Sequence, residues 1–204
     1  MKVRTKEKLQ RAYSHINANN HELVAQIKPN HVEEYEWLIQ NHKRAGDYDY
    51  QHRYKSYWGM HRIGFSSEYY REYFRYLLDE RCFDIQVKEL AYTLYETPVR
   101  NDVQMVQFCF CSKLCHMNNH KLPIYDSNVY KFYGFNPPTT GLPSDRIDKM
   151  DAFYQFLIEE YKSILDEKTL GPSIHAFRNR FDADCFTDIK VIDSLIWAYQ
   201  GMFK

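Results

Sequence analysis

A chain of 204 residues with 44% hydrophobic content can bury one substantial core, so a single domain spanning 1–204 is expected. Its 27 basic and 27 acidic residues cancel to a formal net charge of zero, which excludes a protein coated in positive charge but not one with a local basic face. No run approaches the roughly eighteen apolar residues of a membrane span, and MKVRTKEKLQ lacks an apolar signal core. The odd count of five cysteines, with three crowded at 109, 111 and 115, does not form a secreted disulfide framework, so a soluble cytoplasmic protein with reduced thiols is expected.

Residues 2–17 set Lys2, Arg4, Lys6, Lys8 and Arg11 against one acidic residue, Glu7, behind a thin apolar edge of Leu9, Tyr13 and Ile16. The pattern fits either a basic helical arm or a solvated terminal helix. A helix is expected over 31–42, closed by Gly46. The stretch 43–64 then interleaves Lys43, Arg44, Arg53, Lys55 and Arg62 with Tyr48, Tyr50, Tyr54, Tyr57 and Trp58. Cations for phosphates beside rings for bases suit extruded or single-stranded nucleic acid, and the same rings could equally be core with the cations reaching to solvent.

Helices follow at 68–80, capped by Ser67, and at 86–96, capped by Asp84. Residues 103–117 are apolar almost all round, which predicts a central helix buried on most sides. Its polar residues Ser112, Lys113, His116 and His120 share one stripe. Asn118, Asn119 and Pro123 end it, and Asp126 stands at the N-cap of the next helix. A Pro and Gly loop occupies 136–144, and the strongest amphipathic pattern runs from Ile147 to Leu165, stopped by Gly171 and Pro172. A short helix at 174–181 and a last helix from Thr187 complete an all-α domain of about eight or nine helices.

The segment Pro123-Ile124-Tyr125-Asp126-Ser127-Asn128-Val129-Tyr130-Lys131 resembles the helix-hairpin-helix DNA glycosylase superfamily, in which a P-x-x-D-[ST]-x-V-x-[RK] pattern presents the catalytic aspartate at a helix start. The resemblance is sharpest over residues 103–134. It implies that fold, and a monofunctional DNA N-glycosylase that takes a damaged or modified base flipped out of the duplex. Asp126 would then be the catalytic carboxylate, stabilising the cationic sugar and orienting water. The chain departs from the family twice. Residues 97–102 read TPVRND where the family carries a glycine-rich hairpin, and counting back about eighteen residues from Asp126 arrives near Phe108 rather than at a lyase lysine.

Lys113, His116, Tyr125, Asn128, Tyr57 and Trp58 are the candidate base-contacting residues, because extruded bases are read by stacking and edge hydrogen bonds. Lys43, Arg44, Arg53, Lys55 and Arg62 are the candidate DNA contacts. No cofactor or metal is expected: CFCSKLCHMNNH lacks zinc-knuckle and iron-sulfur spacings, and the chain has no P-loop, dinucleotide fingerprint or nucleophile elbow. The other reading is a catalytically silent glycosylase-like helical domain that binds nucleic acid or a protein partner, with Asp126 only capping.

Overall fold

The computed structural model describes residues 2–79 and 84–202. Among them lie eleven α-helices: α1 (Lys6–Ala18), α2 (Asn20–Gln26), α3 (Pro29–Gln40), α4 (Tyr48–Tyr57), α5 (Ser67–Leu78), α6 (Val87–Tyr95), α7 (Phe108–Asn118), α8 (Ser127–Phe132), α9 (Pro143–Asp166), α10 (Gly171–Arg180) and α11 (Asp188–Met202). Two short 3-10 turns, His42–Arg44 and Met60–Arg62, flank α4. No strand occurs among the described residues, so the all-α class is as expected. No described helix is long and apolar enough to cross a membrane.

One hydrophobic cluster joins all eleven helices. Helix α7 packs on α5 and α6, α6 packs on α9, and α11 packs on α2, α8, α9 and α10. Much of the core is tyrosine, including fully buried Tyr13, Tyr35, Tyr54, Tyr73, Tyr133, Tyr154 and Tyr161. A buried phenol needs a partner, and these hydroxyls find one another, the backbone or a buried or half-buried polar side chain. Tyr54 and Tyr73 share a 2.8 Å bond and Tyr73 donates to Phe110 O at 2.9 Å, while Tyr13 donates to Glu160 at 2.6 Å. Helix α1 contributes Leu9, Ala12, Tyr13 and Ile16 to this core, so one face of 6–18 is packed.

Several boundaries differ from the sequence reading for local reasons. The central helix starts at Phe108, five residues later than expected, because Asn101 (φ 44°) and Asp102 (φ 60°) turn the chain back on itself. Val103 N–H donates to Arg100 O and Val99 N–H to Val103 O, both at 2.8 Å, leaving Val103 and Met105 exposed on the return arm. Two successive left-handed residues make a hairpin-type turn, and Asn and Asp are the non-glycine residues that best tolerate it. The turn at 97–102 therefore forms without glycine. Ser66, not Ser67, caps α5 by accepting from Tyr69 N–H at 3.0 Å. Gln86 rather than Asp84 precedes α6, Asn41 rather than Gly46 closes α3, and Gly171 and Pro172 open α10 rather than stopping α9, which has already ended at Asp166. Proline is favourable there because the first turn has no internal partner for its missing N–H. The expected 68–80 helix reaches residue 80, which lies outside the described residues.

Helix α8 ends in a Schellman motif: Phe135 N–H donates to Tyr130 O at 2.9 Å and Gly134 N–H to Lys131 O at 3.0 Å. Gly134 takes φ 73°, and a Cβ built there would stand 3.0 Å from Arg4 Cγ. Its bare backbone lets the N-terminal strand of chain dock, with Arg4 N–H donating to Tyr133 O at 2.7 Å.

Candidate functional site

Helix α7 is buried from Phe110 to Met117, including Ser112, Lys113 and His116. A polar side chain in such a place must be satisfied, and Ser112 and His116 are spent on the following loop. His116 Nδ1 donates to Leu122 O at 2.7 Å; since a carbonyl only accepts, the other nitrogen, Nε2, accepts from Tyr35 Oη at 2.7 Å. Burial pushes its pKa down to about 3, so the ring is neutral. Ser112 Oγ accepts Tyr125 N–H at 3.0 Å and places its own hydrogen near Cys109 O at 2.8 Å.

Two further helices complete the hold. From α9, Tyr154 Oη donates to Pro123 O at 3.0 Å; from α11, Asp193 Oδ2 accepts Ile124 N–H at 3.2 Å. Residues 122, 123, 124 and 125 are thus each tied by a different buried side chain, drawn from three helices. At the end of this lead-in stands Asp126. Its Oδ1 accepts Asn128 N–H at 2.9 Å as the α8 cap, its Oδ2 lies 3.7 Å from Lys113 Nζ, and its side chain keeps 21% exposure.

Lys113 is held over Phe110 (4.9 Å to the ring centre) and Trp58 (5.5 Å), and donates to Trp58 O at 3.3 Å. Near the same indole sits Lys190 of α11, 5.6 Å from its ring centre, a residue that the sequence reading did not single out. Lys190 and Asp193 are both buried, one turn apart on α11. Burial lowers the lysine pKa, opposed by the charges of Asp193 and Asp126; burial raises that of Asp193, opposed chiefly by Lys190. A signal existed: α11 is buried nearly all round from Lys190 to Ile196, and a charged pair inside such a helix is rare without a task.

The other candidates divide. Tyr57 stacks on His31 at 4.4 Å, and among the described residues its hydroxyl is buried without a hydrogen-bond partner, as is Trp58 Nε1. Tyr125 is turned into the core against Phe108 (5.0 Å) and Tyr130 (5.5 Å), and Asn128 contributes its backbone N–H to Asp126. His116, with both nitrogens committed, holds the loop rather than facing a ligand. Among the cations, Arg53 forms a two-pronged pair with Glu34 (2.8 and 2.7 Å) over Trp37, and Arg44 pairs with Asp47 at 2.9 Å. Lys55 lies 4.7 Å over Tyr70, while Lys43 and Arg62 are exposed without an ion pair to described residues.

Two cavities lie away from this cluster. The larger, of about 570 Å³, is lined by Lys2, Phe135, Asn136, Pro138, Asp145 and Lys149, and the smaller, of about 210 Å³, lies between α1 and α9. Among the described residues no group of three or more His, Cys, Asp or Glu is arranged to hold a metal ion. Burial raises the thiol pKa values of Cys109, Cys111 and Cys115, the last to about 12. No family model, curated protein or solved structure matches the chain.

Proposed function

We propose that this protein is a DNA N-glycosylase that hydrolyses the bond between C1′ and a damaged or modified base flipped out of the duplex, with Asp126 as its essential carboxylate. The observation that carries the reading is the fixed lead-in to Asp126. Four buried side chains tie residues 122–125, more anchoring than a helix cap requires, and the carboxylate they deliver is still partly exposed. Loss of the base leaves positive charge on the sugar, and a preorganised anion stabilises that charge without reorganising during the reaction. Lys113, 3.7 Å away, holds the carboxylate in place. Tyr57 and Trp58 supply rings and unspent hydrogen-bonding groups for the extruded base, and Lys43 and Arg62 offer charge to the backbone.

A panel of duplexes carrying single damaged or bulky modified bases tests this. Conversion of one of them to an abasic site, scored by alkaline strand cleavage, is the expected result. A second reading, a helical binding module in which Asp126 only caps α8, draws on the 2.9 Å bond to Asn128 N–H and on the two cavities lying elsewhere. Steeply salt-dependent DNA binding with every base left in place would select it.

A further inference from the structure

We propose that the smaller cavity, between α1 and α9, is a binding site for a small free α-amino acid, held through its carboxylate by Arg4 and through its ammonium by Glu160. The site is independent of the chemistry at Asp126, since neither DNA nor a sugar takes part in it. The charges around the cavity are sorted by side. Arg4 and Lys6 come from the N-terminal segment and the first turn of α1, whereas Glu160 and Glu167 both come from α9, two turns apart and so on one face. Cations therefore face carboxylates across about 210 Å³, yet no ion pair joins the two sides among the described residues. Opposite charges within reach attract, so a gap held open between them needs a cause.

The cause is that each side is anchored, and both anchors run through Tyr133. Its carbonyl accepts Arg4 N–H at 2.7 Å, and the bare Gly134 beside it lets the Arg4 side chain pass, with the guanidinium 5.8 Å from the Phe132 ring centre. Its hydroxyl lies 3.1 Å from that of Tyr13, whose own hydrogen goes to Glu160 Oε1 at 2.6 Å. Tyr13 and Tyr133 are buried, so the core sets the position of the carboxylate. Among the described residues Glu160 Oε2 accepts no hydrogen bond, and the five N–H donors of the Arg4 guanidinium meet no acceptor. A fixed acceptor and a fixed donor fork that line one cavity without meeting are matched by a molecule that carries both opposite charges.

Size and walls narrow the class. A space of about 210 Å³ has room for about seven waters, which is the bulk of a small amino acid and too little for a nucleotide. Leu9, Phe156 and Ile164 give the cavity an apolar wall for a side chain. A carboxylate fits the planar fork of an arginine with two parallel bonds, and an α-ammonium donates to a carboxylate oxygen. Lys6 and Glu167 add to the same polarity, one on each side.

The test titrates the full-length protein with millimolar L-leucine, and with L-alanine as a smaller probe, and reads affinity by calorimetry and the melting temperature. Saturable binding of at least one of them and a raised melting temperature are expected, because a ligand that binds only the folded state stabilises it. The N-acetyl form, which lacks the cation, and the amide form, which lacks the anion, should each bind at least about tenfold more weakly, the worth of one hydrogen bond to a charged group. Arg4→Gln and Glu160→Gln should weaken the free amino acid by a similar factor. Both variants should fold, since the first keeps the N–H bonded to Tyr133 O and the second keeps an oxygen for Tyr13 Oη. Binding of neither amino acid, equal binding of the charge-blocked forms, or binding untouched by both substitutions overturns the proposal. No DNA is added, so neither result bears on base release.

Discussion

Two proline-containing loops follow one another along the chain, and they are built in opposite ways. Residues 122–125 are tied by buried side chains of α7, α9 and α11 and border no described cavity. Residues 136–142 help line the larger cavity, yet the side-chain bond that reaches them is Arg146 Nε to Pro138 O at 3.2 Å, and Leu142 is left exposed. Void and order are separated. A void is what remains where packing was not completed, whereas four satisfied buried polar groups cost desolvation and are kept where one geometry matters. That contrast is why the carboxylate after the first loop, and not the cavity beside the second, is taken as the functional centre.

The contrast breaks most sharply at Asp193. Asp193→Ala strips the acceptor from Ile124 N–H and Tyr161 Oη and removes the carboxylate that most offsets the burial of Lys190, so a loss of about 3–5 kcal/mol in denaturant unfolding is expected. A loss below about 1 kcal/mol would mean that the hold on Ile124 is dispensable.

Acid should act through the same clamp. The folded pKa of His116, about 3, lies below the ordinary imidazole value, so as pH falls from about 6.5 toward 3 the unfolded chain binds a proton that the folded chain refuses. The stability His116 contributes is full above that window and declines within it, by about 1.4 kcal/mol per unit. His31, lowered to about 4 by burial and Lys190, acts in the same direction. Asp193, raised by burial, acts in the opposite one. Melting temperatures across this range should fall less steeply in His116→Gln than in the wild type; parallel curves would show that the buried histidine is not the cause.

Ser112→Ala is expected to cost about 1–3 kcal/mol by orphaning the buried Tyr125 N–H. Gly134→Ala should cost about 1–2 kcal/mol from its left-handed backbone, with an addition from the approach to Arg4. At the other loop Arg146→Ala should change stability by about 0.5–1.5 kcal/mol at most, the worth of one partly buried hydrogen bond. If Arg146→Ala proved more costly than Ser112→Ala, the two loops would not differ as described.

Element type was legible where a periodic apolar stripe had no competitor, as in α9 and in α5. It misled at 103–107, where valines and a methionine look helical but the two residues ahead of them, Asn101 and Asp102, turn the chain. Composition could not sort the aromatics of 43–64, because ring faces suit a base and a core equally. Tyr50 and Tyr54 are core, Tyr48 is exposed, and Tyr57 and Trp58 stand beside the buried Lys190 ammonium. At the site, Asp126 and the Ser112, Lys113 and His116 stripe could be read from spacing, since all lie within one helix and its exit. Lys190 and Asp193 come from the far end of the chain, and spacing within a segment carries no information about what a distant helix brings to it.

The most direct measurement is single-turnover base release by Asp126→Asn beside the wild type, on whichever modified duplex the wild type cleaves. Asn caps a helix about as well as Asp, but the substitution leaves the buried Lys113 without its 3.7 Å partner, so a lowered melting temperature is expected and the comparison is made at a temperature where the variant is still folded. The account predicts that base release nonetheless falls by about 10²–10³-fold. Release at the wild-type rate by the folded variant would contradict it.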